Sequence, residues 1–82
     1  MSADNMERFR SVFGAVLGVP TDSVTDAVTA EATDTWDSLN HINLISALEQ
    51  EFSVQLPAER LADARSVADL KNLLGERGVE FA

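Results

Sequence analysis

In three separate segments of this 82-residue chain the apolar side chains recur at steps of three and four, and that period constrains the fold more than any other feature. Met6, Phe9, Phe13, Val16 and Leu17 trace one face of a first helix. Leu39, Ile42, Ile45, Leu48 and Phe52, widened by Leu44, trace a second from about Ser38 to Phe52. Val67, Leu70, Leu73 and Leu74 trace a last one. The punctuation agrees with the stripes. Asp4 with Glu7, and Ser66 with Asp69, are spaced as capping boxes at helix starts. Gly18 and Pro20 stop the first helix, because glycine suits a left-handed cap and proline cannot continue the ladder. Pro57 breaks the chain after "SVQL", "AERLADA" leaves room for a short third helix, and Gly75 and Gly78 close the last. From Gly18 to Trp36 the chain turns to Thr, Asp, Ser and Ala, with Val24 and Val28 spaced to pin a long loop onto the core. Strand alternation and internal repeats are missing. The expectation is an all-α four-helix bundle, one domain over residues 1–82, with a long loop between helices one and two and a short third helix.

A chain of this length supports one modest core, which argues against a deep enzyme cleft. The stripes of helix one (Phe9, Phe13, Leu17), helix two (Ile42, Ile45, Leu48) and helix four (Val67, Leu70, Leu74) should meet in it, with no large preformed cavity. Fourteen acidic against six basic side chains give a formal charge of −8, a field that repels nucleic acid and anionic lipid and favours basic partner surfaces. With no cysteine there is neither a disulfide nor a thiolate metal site, and any thiol chemistry must be imported. The opening "MSADNMERFR" is unlike a signal peptide, and no apolar run approaches the ~20 residues of a membrane span. A cytoplasmic monomer is expected.

The stretch "DTWDSLNHINLISALEQEF" crowds Asp37, Ser38 and His41 into one helical turn. A serine nucleophile needs a base in reach and a third group orienting that base from behind. Here Asp37 would flank the serine instead of backing the imidazole, and no oxyanion hole is evident, so no catalytic residue is assigned. One histidine and no cysteine leave only carboxylates for a metal, and the calcium-loop spacing is absent after Asp34, so no metal ligand is assigned either. His41 reads as a solvent-facing helix residue. Ser38 has two readings. It can serve as the helix cap, helped by the charge of Asp37. It can also present its hydroxyl for phosphorylation or a phosphate-linked group, since free N–H groups and the macrodipole favour negative charge at a helix N-terminus.

The run "WDSLNHINLISALEQEF", followed by "VQLPAERL" and a capped final helix, resembles an acyl carrier protein, a family marked by a D-S-L triplet that opens the second of four helices. The likeness covers nearly the whole chain in element order, length and acidity. It implies that Ser38 carries 4′-phosphopantetheine, transferred from coenzyme A by a phosphopantetheinyl transferase with magnesium, and that the arm's thiol holds acyl groups as thioesters. A chain without cysteine of its own fits that role. The carrier would make no bonds itself; it would deliver acyl groups to acyl-transferring, ligating or condensing enzymes with basic docking patches. Asp37 and Glu49 would supply charge for docking, and Leu39 and Ile42 the apolar contact.

The chain departs from the family pattern at several positions. Thr35 stands where a glycine is common, three residues before the serine, and Trp36 holds a place more often given to a small residue. Asn40, Asn43 and Gln50 are neutral where fatty-acid carriers are often acidic. Asp37, in place of the histidine frequent in peptidyl carriers, points to an acyl load, and "WDSLNH" looks like stand-alone carriers of specialised pathways such as polyketide assembly. Two alternatives remain: a carrier of fatty-acid biosynthesis, and an acidic helical interaction module without a prosthetic group, in which Ser38 is only a cap.

Overall fold

The computed structural model describes residues 4–81, so the ends of the expected 1–82 domain lie outside the described residues. Four helices follow in order: α1 (Asn5–Leu17), α2 (Ser38–Phe52), α3 (Ala58–Leu61) and α4 (Val67–Glu76). A single 3-10 turn, Thr21–Ser23, interrupts the long α1–α2 loop. The expected all-α four-helix arrangement is present, and α3 is as short as the sequence implied.

The caps explain the boundaries. Asp4 accepts from the Met6 N–H at the start of α1, and Gly18 ends that helix with φ 70°, a left-handed turn that costs glycine little. Gly14 is needed for space, because a Cβ there would stand 2.8 Å from the Val19 carbonyl oxygen where the chain leaves α1. Ser66 caps α4 by accepting from the Asp69 N–H. Gly75 falls inside α4, so it does not close the helix as expected; Gly78, with φ 93°, turns the chain after it.

Phe9, Phe13 and Leu17 of α1, Leu44, Ile45 and Leu48 of α2, and Val67, Leu70, Leu73 and Leu74 of α4 form the core. Ile42 does not join them. The buried stripe of α2 runs through Leu44, Ile45 and Leu48, while Leu39 and Ile42 are 68% and 64% exposed. The apolar residues of α2 thus span more than one face, and the face left outward begins beside Ser38. The long loop is held at both ends. Val24 is buried, and the loop pairs with the start of α4 through Ala30 N–H to the Arg65 carbonyl (2.8 Å) and Val67 N–H to the Val28 carbonyl (3.0 Å). Trp36 closes the loop in the core, edge-on to Phe13 with centroids 5.2 Å apart. Phe81 returns the chain end to Phe9 and Phe52.

Candidate functional site

Ser38 is the first residue of α2 and is exposed. The cap belongs to its neighbour: Asp37 Oδ1 accepts the Asn40 N–H at 2.9 Å, which corrects the alternative that assigned the cap to Ser38. Aspartate and serine are near-equal caps, and here the chain enters the helix one residue earlier than that alternative supposed. The Ser38 hydroxyl is therefore released from a structural task. It stands at the positive end of a fifteen-residue helix, where the N–H groups of the first turn favour negative charge. Asn40 steadies the approach, its Nδ2 donating to the Thr35 carbonyl at 2.8 Å.

His41 is half-buried, contrary to the expectation that it faces solvent. The reason is Trp36. A buried indole N–H needs an acceptor, and Nδ1 of His41 supplies it at 2.9 Å, with the two rings stacked 6.0 Å apart. Nε2 then carries the proton and donates to the Leu61 carbonyl at 2.8 Å, joining α2 to the end of α3. Both ring nitrogens are thus committed away from Ser38, and the Asp37 carboxylate is committed to the Asn40 N–H. A Ser38–His41 nucleophile pair therefore has no free base in this arrangement.

The four residues expected at a docking surface differ in placement. Asp37, Leu39 and Ile42 are exposed around Ser38. Glu49 is half-buried three turns along, and its Oε2 accepts the Leu56 N–H at 2.8 Å, so part of its carboxylate serves the fold. Between α2 and α3 lies a mainly apolar cleft of about 300 Å³, bounded by His41 and Leu61 at one end and by Glu49 and Leu56 at the other. This cleft lies at the surface, outside the core for which no large preformed cavity was expected. α3 contributes no fully buried residue, and only its Leu61 packs, partly buried, against the core. Among the described residues, no three His, Cys, Asp or Glu side chains gather as a metal site, and no helix is long and apolar enough to cross a membrane.

Residues 7–74 match the family described as the phosphopantetheine attachment site. An acyl carrier protein of Akkermansia muciniphila is 38% identical over 65 residues, which span 78% of this chain and 80% of that protein.

Proposed function

The chain belongs to the phosphopantetheine-binding acyl carrier family, and on that premise we propose that Ser38 is the residue that bears the arm. Membership makes the chain a carrier that works with a phosphopantetheinyl transferase and acyl-handling enzymes, and not an enzyme itself. The observation that carries the assignment to Ser38 is its release from capping: an exposed hydroxyl at the first position of α2, with Asp37 holding the cap beside it. Ser38 would hold the arm as a phosphodiester through its hydroxyl oxygen, the hydroxyl proton passing to a base of the transferase and adenosine 3′,5′-bisphosphate leaving as the pyrophosphate bond of coenzyme A breaks. The helix terminus then stabilises the diester. The terminal thiol of the arm provides the thioester link for an acyl group.

The docking face is Leu39 and Ile42, flanked by Asp37, with Glu49 at its margin. Two large exposed apolar side chains beside the arm's root offer desolvation, and the chain's formal charge of −8 offers steering toward basic partners. The chain is a single carrier domain acting as a monomer in the cytoplasm, and it serves polyketide or other specialised biosynthesis in preference to fatty-acid synthesis. The neutral Asn40, Asn43 and Gln50 on α2 favour that pathway reading. Co-expression with a broad-specificity phosphopantetheinyl transferase tests the carrier reading. An intact mass raised by one pantetheine arm is expected, whereas an unchanged mass would favour the acidic interaction module.

A further inference from the structure

The segment from Leu56 to Leu61 lies along α2 in the opposite direction, and two side chains of α2 fasten it at its ends. Glu49 Oε2 accepts the Leu56 N–H at 2.8 Å, and His41 Nε2–H donates to the Leu61 carbonyl at 2.8 Å. These residues are eight apart, two turns of one helix face, and the cleft of about 300 Å³ lies between them over Ile42, Ile45 and Ser46. Little else holds this segment. α3 has four residues, none buried, and its Arg60 pairs with Glu76 where both side chains are half exposed. Leu56 and Ala64 are buried and act as anchors on either side of it. Such a segment belongs to the least stable part of the fold, where one hydrogen bond changes the open population appreciably.

The two fastenings differ in what they demand. The Trp36 indole can only donate and the Leu61 carbonyl can only accept, so His41 satisfies both only as the neutral tautomer protonated on Nε2. An imidazolium would set one N–H against another at Nδ1. His41 is also three residues from Ser38, so its fastening closes the end of the cleft nearest the arm. The charged groups around it are Glu49, on the same cleft wall; Asp37, one turn back with its carboxylate on the Asn40 N–H; Arg60, turned to Glu76; and Glu59 and Asp63, exposed on either side of Leu61.

We propose that His41 is a positioning residue whose neutral imidazole clasps the end of α3 over the mouth of this cleft, holding the acyl part of the carried group in solvent, and that an apolar acyl chain enters only when the clasp opens. This rests on Ser38 as the attachment site. Short or polar acyl groups are therefore the cargo that the clasped form presents to partners, and longer apolar ones require its release.

The test compares the wild-type chain with His41→Phe, which keeps a ring against Trp36 but neither accepts nor donates. In the unmodified proteins, exchange protection of the Arg60 and Ala64 amides should fall about 2- to 10-fold in the variant, the worth of one net hydrogen bond. The wild-type imidazole should be the tautomer protonated on Nε2, read from its long-range nitrogen–proton correlations, because the Trp36 indole donates to Nδ1. Should the variant fail to fold, the wild-type tautomer decides the question by itself. Both chains are then loaded with acetyl- or octanoyl-pantetheine from the matching coenzyme A thioester. Octanoyl should shift the methyl resonances of Ile45 and Leu61 in the variant, while acetyl should shift neither chain. Unchanged protection in the variant, or a wild-type imidazole protonated on Nδ1, overturns the clasp, and identical octanoyl shifts in both chains overturn its control of cargo. A chain that clasps but never loads at Ser38 supports the clasp and overturns the attachment reading, and with it the cargo part.

Discussion

Replacing Ser38 by alanine should abolish the arm and leave the fold standing, and the two effects can be separated quantitatively because the cap is next door. Had Ser38 been the cap, its loss would cost about 0.5–2 kcal/mol. Asp37 Oδ1 makes that hydrogen bond instead, at 2.9 Å to the Asn40 N–H, and its carboxylate adds favourable charge at the helix start. Ser38 occupies the first helical position and is exposed, so the substitution exchanges a middling helix former for the best one. The expected change is within about 0.5 kcal/mol. Asp37→Ala should cost about 1 kcal/mol or more, from the lost cap and the lost charge together. Urea unfolding followed by far-ultraviolet circular dichroism measures both against wild type, with an unchanged slope showing that the unfolded states are comparable. A loss above about 1 kcal/mol in Ser38→Ala with none in Asp37→Ala would refute the assignment of the cap and the argument that the hydroxyl is free.

Other perturbations separate fold from recognition. Gly14→Ala should destabilise by about 1–3 kcal/mol, because the new methyl meets the Val19 carbonyl oxygen at 2.8 Å, a loss that thermal or urea unfolding would register. Ser53 ends α2 in a left-handed conformation with φ 55°, so Ser53→Gly should stabilise by about 0.5–1 kcal/mol, and a destabilised variant would contradict the strain. Ile42→Ser, at a residue 64% exposed, should change stability by less than about 0.5 kcal/mol and yet slow modification by the transferase; unaltered kinetics would remove Ile42 from the docking face. Asp37→Asn keeps a capping side chain and deletes the charge, so a slower association that fades at high salt isolates steering from folding. The hydrogen bond from Arg60, with its positive charge, holds the Glu76 carboxyl below the ordinary glutamate range. A folded value below the unfolded one means that the pair's contribution is present above the ordinary glutamate range and lost as pH falls through the depressed value, so a Glu76→Gln variant should lose part of the wild type's acid dependence of stability.

The helices were legible where a stripe and a cap spoke together. Phe9, Phe13 and Leu17 under the Asp4 cap gave α1, and Val67, Leu70 and Leu74 under Ser66 gave α4, because local hydrogen bonding and burial demand the same residues there. On α2 the apolar residues exceed what one buried face can take, and period alone does not say which of Ile42 and Leu44 turns inward; packing against α1 and α4 chose Leu44. Asp37 and Ser38 compete as adjacent caps of equal strength, and the backbone entry angle decided between them. His41 looked solvent-facing because its partners, the Trp36 indole and the Leu61 carbonyl, come from segments without helical phase relative to α2. The one available signal was the tryptophan itself, a donor headed for the core with a histidine five residues on. The bond from the Leu56 N–H to Glu49 crosses the end of α2, where no spacing rule applies, and with it went any view of the cleft.

Where the arm attaches is the central claim, and fragmentation of the modified chain locates it directly. After incubation with coenzyme A, magnesium and a phosphopantetheinyl transferase, proteolysis and mass spectrometry should place one pantetheine arm on the peptide containing Ser38, with fragment ions assigning it to that residue, and Ser38→Ala should take up none. An arm on Ser23, Ser53 or Ser66, or undiminished modification of Ser38→Ala, would contradict the account.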